Sequence, residues 1–375
     1  MNEILKKYRR DLHQIPELEF DLFLTQAYVK KELESFGYKT ETVAKTGLIA
    51  VREGLSKEAV AFRSDMDALP VNELCDIDFK SKHPGKMHAC GHDGHMAMLL
   101  GFAKYIASLE KVNQTIVFIF QPAEEGPGGA KVIIDQGIFE KYHIKQILGL
   151  HLFPGIKQGK MGFANGPMTA QNGEIDIVIK GKSAHGAQPH LGHDAMIVQS
   201  YLIQAYQTII SRDINPLKPS VITIGTIQGG EARNIIAGEV KLSGTIRVYD
   251  QDVYDLIKKR IIEINQGLEQ MFLVNIECEI RDYYPAVIND SILFETAIKQ
   301  YDKDAYEIVE PLMIAEDFAF YLKKVPGMFS FVGTKNEEKD FVHSLHSNLF
   351  NFDESILEVG LNYYIKMAKA LKIID

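Results

Sequence analysis

The residues from 87 to 95 read Met-His-Ala-Cys-Gly-His-Asp-Gly-His and combine one thiol with several imidazoles. Cys90 and His92 are separated only by Gly91. A thiolate and an imidazole together are ligands for a borderline-soft ion such as zinc, manganese, cobalt or nickel, and not for calcium or magnesium. Taken alone, the stretch is equally typical of a histidine-rich loop around a buried free cysteine. The histidines are unevenly distributed, however, since four of the twelve lie within thirteen residues: His83, His88, His92 and His95.

Two adjacent glutamates, Glu124 and Glu125, follow the apolar run 115–120. That run predicts a strand buried on both faces of a parallel sheet. Loops at the carboxyl ends of such strands are where open α/β sheets place their sites. One of two adjacent carboxylates can bind a metal while its neighbour acts as a base. By itself, the pair is more typical of a solvated acidic turn.

Two histidines from distant parts of the chain complete the candidate set. His151 follows the apolar run 146–150, so the predicted strand delivers it to the same sheet edge, and His346 lies near the C-terminus. Alone, His151 is more typical of a packed core residue. A catalytic zinc needs only three protein ligands, whereas five fit two metals about 3.5–4 Å apart with a bridge such as Cys90 or hydroxide. Five ligands and one base are available: Cys90, His92, Glu124, Glu125, His151 and His346.

The elements that must position these residues alternate between strands and helices in the first part of the chain. Apolar runs predict four strands, at 46–51, 59–64, 115–120 and 146–151. Helical spacing predicts helices at 92–108 and 130–139. This alternation indicates the α/β class, with a mostly parallel sheet.

The pattern changes near residue 170. Residues 173–180 alternate strictly between apolar and polar side chains, which predicts a strand with one solvated face. The elements that follow have the order β-α-β-β-α-β of a ferredoxin-like antiparallel sheet. We therefore predict one catalytic domain, 1–172 plus 286–375, interrupted by a second domain at 173–285.

Composition excludes several classes of protein. The 375 residues carry 41 basic and 50 acidic side chains, a net charge of −9, and no run rich in lysine or arginine, so nucleic acid is not expected as a partner. No stretch approaches about 18 uncharged apolar residues, so no membrane span is expected. The N-terminus has no apolar signal-peptide region. Three cysteines, an odd and sparse set, indicate a reducing compartment, and we predict a cytoplasmic location.

Five stretches together resemble one known family. They are Arg63–Pro70, His88–His95, Pro122–Glu125, Gly181–Ala187 and Glu316–Phe318. In this order and spacing they are similar to the dinuclear-metal amidohydrolase branch of the aminoacylase and carboxypeptidase metallopeptidase family. That branch includes hippurate hydrolases, auxin-conjugate hydrolases, N-acyl-amino-acid amidohydrolases and N-acetyl-diaminopimelate deacetylases. The resemblance implies a phosphorylase/hydrolase-like catalytic domain, with 173–285 as a lid and homodimer contact.

The resemblance implies a role for each matching residue. Glu124 would be the general base. Asp65 and Asp67 would support the metal ligands, although Asp65 stands where the wider family has a metal-binding histidine. In the second domain, His185 would polarise the scissile carbonyl, while Asn234 and Arg247 would hold the substrate carboxylate. The two divalent metals, zinc, manganese, cobalt or nickel, would be bound by Cys90, His92, Glu125, His151 and His346.

The implied activity is hydrolysis of the amide bond of small N-acyl-L-amino acids by a metal-activated water. The stretch Pro122–Ala130 is most similar to N-acetyl-diaminopimelate deacetylases of lysine biosynthesis, together with Ser211–Arg212, Asn234–Ala237 and Gly244–Arg247. N-acyl-amino-acid amidohydrolases and hippurate hydrolases share most of these residues. Two alternatives remain at this point. One is a metallo-carboxypeptidase or dipeptidase that uses the same site, and the other is a non-catalytic protein with a single structural zinc.

Overall fold

The computed structural model of the chain describes all 375 residues, which divide into two compact units. The first unit comprises Met1–Met168, Ile288–Pro311 and Asp317–Asp375, and the second comprises Thr169–Val287 and Leu312–Glu316. Each unit has its own sheet and its own hydrophobic core. None of the helices combines the length and the apolar character needed to cross a membrane.

The first unit is built on an eight-stranded sheet. Ten strands lie outside the second unit's sheet, and all of them except β7 and β12 form this large sheet. They are β1 (Thr40–Val43), β2 (Gly47–Arg52), β3 (Ser56–Asp65), β4 (Gln114–Gln121), β5 (Ile144–Lys157), β6 (Met161–Phe163), β7 (Gly166–Thr169), β12 (Val287–Asn289), β13 (Tyr306–Ile308) and β14 (Gly327–Lys335). The order in the large sheet is β1-β2-β4-β3-β5-β14-β6-β13. Its four central strands are parallel, because β3 pairs in parallel with β4 and β5, and β14 pairs in parallel with β5.

Helices pack against this sheet through alternate strand residues. Val60 and Phe62 of β3 lie in one hydrophobic cluster with side chains of the first, third and last helices. Phe62 packs against Phe102, with ring centroids 4.7 Å apart, and edge-on against Tyr364. The helices are α1 (Asn2–His13), α2 (Phe23–Ser35), α3 (His92–Ala107), α4 (Gly129–Asp135), α5 (Ile138–Lys141), α8 (Ser291–Ile298), α9 (Ala319–Leu322) and α10 (Ile356–Ala370).

The second unit has a four-stranded antiparallel sheet with two long helices. The elements are β8 (Gln171–Lys180), a 3₁₀ turn (Pro189–Leu191), α6 (Ala195–Thr208) with a π-helical turn (Ile209–Asp213), β9 (Ser220–Gly229), β10 (Glu239–Val248), α7 (Gln251–Phe272) and β11 (Asn275–Asp282). The strand order is β11-β8-β10-β9. Alternate residues of β8, Ile175, Ile177 and Ile179, are buried, as the strict alternation predicts.

The predicted fold class is confirmed, since a mostly parallel sheet with helices and a separate β-α-β-β-α-β unit are both present. Two local expectations are wrong. The single helix expected at 130–139 is divided into α4 and α5, because Gly137 between them has φ at 75°. The strand expected to end at His151 continues as β5 to Lys157, because β14 pairs with β5 as far as that residue. The use of residues 173–285 as a lid stays a prediction.

Candidate metal centre

Three parallel strands bring their ends to the same edge of the first sheet. Asp65 ends β3 and pairs with Gln121, which ends β4, and the loop with Glu124 and Glu125 follows at once. His151 lies on β5 two residues beyond Gly149, the last β5 residue that pairs with β3. The carboxylates and His151 therefore meet at the carboxyl edge of the sheet, as expected for an open α/β fold.

A glycine turn places Cys90 and His92 at the start of α3. Gly91 precedes the first helical residue with φ at 85°, a conformation that side chains disfavour. A Cβ at Gly91 would lie 2.8 Å from Leu152 Cδ1, so the turn also needs the missing side chain for space. Both flanking side chains are buried.

The five sequence-predicted metal ligands form a continuous set of close contacts. Ligand atoms around one tetrahedral ion lie about 3.3–3.8 Å apart when the metal–ligand bonds are about 2.0–2.3 Å. The observed separations match this spacing: Cys90 Sγ to His151 Nε2 and to His346 Nε2, 3.4 Å each; Glu125 Oε1 to His346 Nε2, 3.4 Å; and Glu125 Oε1 to His92 Nε2, 3.8 Å.

Backbone carbonyls orient two of the imidazoles. His92 Nδ1 donates to the backbone oxygen of Asp67 at 2.8 Å, and His151 Nδ1 donates to that of Leu152 at 2.6 Å. A carbonyl can only accept, so the proton is on Nδ1 in both rings. In the neutral rings, Nε2 then carries the lone pair that a metal needs.

Orphaned polar atoms show that these residues fit a cation. His92 Nε2 and Glu125 Oε1 are buried and make no hydrogen bond. A buried polar atom without a partner is costly, and a metal between the two atoms would satisfy both. A thiol, imidazoles and a carboxylate are also the donor set that zinc and its neighbours prefer.

The electrostatics of the residues agree with this fit. Burial raises the pKa of the Cys90 thiol well above its usual value, and the carboxylates of Glu125 and Glu124 raise it further. Burial lowers the pKa of His92, but Asp65, Asp67 and Glu125 outweigh burial and raise it to about 10. Both shifts reflect the carboxylates gathered around these two groups, and a metal ion would place positive charge among them.

His95 belongs to the same histidine cluster but has no nitrogen left for a metal. Its Nδ1 donates to Asp65 Oδ1 at 2.6 Å, and its Nε2 accepts the amide of Leu152 at 2.9 Å. His83 donates through Nδ1 to the backbone oxygen of Pro16. His88 is buried, and burial lowers its pKa to about 3. The cluster therefore contributes only His92 to the set of close contacts.

Asp67 supports the two adjacent glutamates directly. Its carboxylate accepts the backbone amides of Glu124 at 3.0 Å and Glu125 at 2.9 Å. Asp65 accepts from Arg63 Nη1 at 2.8 Å in addition to His95. Both aspartates thus touch the residues around the candidate ligands.

The residues predicted in the second unit are arranged differently. His185 and Asn234 are neighbours, because the amide of Gly186 donates to the backbone oxygen of Asn234 at 2.7 Å. His185 Nδ1 accepts the amide of Ala187 at 3.1 Å, which leaves its proton on Nε2. Arg247 lies on β10, opposite Asn172 of β8, and its buried Nη1 makes no hydrogen bond.

Sequence reasoning assigned no role to Arg63, Gln121 and Asp317, although two of them lie in the stretches that carry the resemblance. Their fully buried side chains form one network at the strand ends. A signal was available, because an arginine in the apolar run that forms β3 needs a buried acidic partner.

The profile of the peptidase family M20/M25/M40 matches residues 61–370. The chain belongs to this family. A Staphylococcus epidermidis protein described as an uncharacterized hydrolase is 39% identical over 383 residues, covering 99% of this chain and 100% of the relative. The present chain is therefore a metal-dependent hydrolase that acts on amide bonds. The resemblance drawn from its sequence is confirmed.

Two solved structures are similar to this M20/M25/M40 member over its whole length. A putative aminohydrolase from methicillin-resistant Staphylococcus aureus has a TM-score of 0.92 and 31% identity, covering 100% of this chain and 97% of the other. The Bacillus subtilis YXEP protein is described as a dinuclear metal-binding peptidase of the M20 family. It has a TM-score of 0.86 and 30% identity, covering 100% of this chain and 99% of the other. Membership in a hydrolase family argues against a non-catalytic protein with one structural zinc.

The assignment of Cys90 as a ligand predicts that the protein loses metal when the thiol is removed. Replacing Cys90 by serine exchanges a thiolate for a weak hydroxyl ligand, so at least one metal is expected to be lost on dialysis. Elemental analysis after loading with Mn²⁺, Co²⁺, Ni²⁺ or Zn²⁺ measures this. Cys75→Ser is the matched control, since Cys75 is also buried but contacts the backbone oxygen of Phe350. Full metal content in Cys90→Ser would contradict the ligand role.

Proposed function

We propose that this hydrolase removes the acyl group from small N-acyl-L-amino acids that carry a free carboxylate. The observation that carries the proposal is the continuous contact set of five ligand atoms beside the buried Glu124. We assign two divalent transition-metal ions to that set, held by Cys90, His92, Glu125, His151 and His346.

The ions would lower the pKa of a water molecule and polarise the amide carbonyl, as paired metals do in hydrolases. The chain's contribution is to hold the ligands apart at fixed distances. The carbonyl contacts of His92 and His151 keep both rings in the ligand tautomer. The similarity to the B. subtilis protein, a dinuclear metal-binding peptidase, supports two ions rather than one.

Glu124 is the proposed general base. Its side chain is only 6% exposed, and it adjoins the proposed ligand Glu125 while Asp67 holds the amides of both residues. A carboxylate so placed takes a proton from the attacking water and returns it to the leaving amine. The second transfer is needed because an unprotonated amide nitrogen is a poor leaving group.

The substrate's carboxylate is assigned to Arg247, with Asn234. The buried and unpaired Nη1 of Arg247 supports this assignment, because a carboxylate would satisfy it with a charge-assisted hydrogen bond. Polarisation of the carbonyl by His185 stays a prediction, as does a specific role as N-acetyl-diaminopimelate deacetylase in lysine biosynthesis. All three cysteines are free, which supports the proposed cytoplasmic location.

A homodimer through the second unit is also proposed. β9 is an edge strand of ten residues without a charge or a proline, and Ile227 on it is 47% exposed. The opposite edge strand, β11, carries four charged side chains in eight residues. Charges protect an edge from pairing, so β9 is the edge that a second copy would cover.

The dimer proposal predicts a difference between the two edges. Ile227→Lys places a charge on β9 and is expected to give monomers, whereas Asn275→Lys places the same charge on β11 and leaves the dimer intact. Sedimentation velocity at micromolar concentration distinguishes the two species. A wild-type monomer, or a dimer that survives Ile227→Lys unchanged, would count against this interface.

The substrate class can be tested with a panel of compounds. N-acetyl, N-benzoyl and longer N-acyl amino acids, including N-acetyl-diaminopimelate, are offered with Mn²⁺, Co²⁺, Ni²⁺ or Zn²⁺, beside free dipeptides. We expect hydrolysis of N-acylated compounds with a free carboxylate, and much slower hydrolysis of their amidated forms. Faster turnover of dipeptides than of all N-acyl amino acids would favour the carboxypeptidase or dipeptidase alternative.

The base can be tested by a pair of adjacent substitutions. Glu124→Gln keeps the shape but cannot accept a proton, so kcat is expected to fall by about 10²–10⁴ with metal content preserved. Glu125→Gln makes the same change one residue later and is expected to lower the metal content instead. Kinetics and elemental analysis of both variants check this. Normal turnover in Glu124→Gln would remove it from the base role.

A further inference from the structure

The loop that carries Glu124 is a tight turn closed on itself. The backbone oxygen of Ala123 accepts the amides of Gly128 at 3.1 Å and Gly129 at 3.0 Å, and Ala123 has φ at 57°. A Cβ at Gly129 would lie 1.8 Å from the oxygen of Pro122, so no side chain fits there. Backbone contacts therefore fix the conformation of the loop itself. The side-chain contacts that hold the two ends of the loop then determine where Glu124 lies.

One side chain holds both ends of this loop. Asp317 accepts from Gln121 Nε2, at the loop's first residue, with distances of 2.9 Å to Oδ1 and 2.7 Å to Oδ2. Its Oδ2 also accepts the amide of Ala130, in the first turn of α4, at 2.9 Å. Asp317 thus ties the end of β4 to the start of α4, while Asp67 holds the two glutamates in between.

A buried arginine keeps Asp317 in place. Arg63 donates through Nη2 to Asp317 Oδ1 at 2.8 Å, through Nη1 to Asp65 at 2.8 Å and through Nε to Gln121 Oε1 at 2.9 Å. The hydroxyl of Tyr321 donates to Gln121 Oε1 as well, at 2.9 Å. The groups that Arg63, Gln121 and Ala130 present to Asp317 are all donors, so each depends on its carboxylate being an acceptor at both oxygens.

This network is more elaborate than packing requires. Asp317, Gln121 and Arg63 are fully buried, and burying two charges is stabilising only when the geometry is excellent and the remaining polar atoms are satisfied. An apolar group could fill the same space without that cost. The network has a further effect, because it fixes the loop that carries Glu124. A misplacement of a catalytic group by about 1 Å can lower the reaction rate by about 10².

We propose that Asp317 is a positioning residue that holds the loop 121–130 so that Glu124 reaches the reacting water. This inference rests on the proposed role of Glu124 as the base. Asp317 hydrogen-bonds the supporting network and not the five proposed ligands. A change at Asp317 should therefore lower kcat only through Glu124. That fall in kcat should disappear when Glu124 can no longer accept a proton.

The first test is a double-mutant cycle in kcat. Asp317→Asn turns one acceptor into a donor facing other donors, and kcat is expected to fall about 10–100-fold with KM and metal content nearly unchanged. Added to Glu124→Gln, the same substitution should lower kcat no further than about 2-fold. Losses that multiply, or a loss of metal that accounts for the fall in kcat, would overturn the inference.

The second test reads the loop without any metal or substrate. In the metal-free protein, hydrogen exchange of the amides from 124 to 130 should become at least about tenfold faster in Asp317→Asn. Asp93→Asn is the matched control, since Asp93 is equally buried and paired with Arg9 at 3.2 Å, but does not contact this loop. Unchanged exchange in Asp317→Asn, or equal acceleration in both variants, would refute the positioning role.

A second variant covers the case in which Asp317→Asn does not fold. Gln121→Met keeps the side-chain volume but removes both the donor to Asp317 and the acceptor for Arg63 and Tyr321. Asp317 retains its contacts with Arg63 and the amide of Ala130, so this variant should show the same non-additivity with Glu124→Gln, with a smaller fall in kcat. The two proposals fail differently. Wild-type kcat in Glu124→Gln would overturn the base and this inference together, whereas a slow Glu124→Gln with multiplicative losses would overturn this inference alone.

Discussion

A guanidinium buried near the end of a parallel strand links the residues at the carboxyl edge of the first sheet. Arg63 is fully buried on β3, and leaving such a charge unpaired would cost about 3–5 kcal/mol. Its carboxylate partners, Asp65 and Asp317, come from the strand end and from a segment 254 residues later. Through Asp65 the arginine is linked to His95, and through Asp317 to the glutamate loop. The charge pairs therefore connect the sheet edge to both sides of the candidate metal centre.

The candidate metal centre differs from this network because two of its buried atoms, His92 Nε2 and Glu125 Oε1, make no hydrogen bond. His95 uses both ring nitrogens, whereas His92 uses only Nδ1 and leaves Nε2 buried without a hydrogen bond. The thiol of Cys90 and the carboxylate of Glu125 face the same space. For His92 and His95, hydrogen bonding thus distinguishes the ring that could bind a cation from the ring that holds the structure.

The second unit shows how edges of a sheet can have different roles. Both β9 and β11 end their sheet, but only β11 carries the charges that prevent further pairing. The buried, unpaired nitrogen of Arg247 on β10 adds a second unsatisfied feature to the same unit. We propose that a second copy of the chain covers the uncharged edge and that an anionic substrate satisfies the unpaired nitrogen of Arg247.

The sequence by itself determined the fold class, the family and the candidate ligand set. Strand and helix periodicities are local, and metal-binding residue types are recognisable wherever they lie. It selected His92 as a ligand but gave no role to His95, three residues later on the same helix, and it placed the end of the β5 strand too early. Only the tertiary structure decided these points, because they depend on contacts with Leu152, Asp65 and β14. The link from Arg63 to Asp317 is of the same kind, since a pairing between distant residues leaves no periodic signal in the chain.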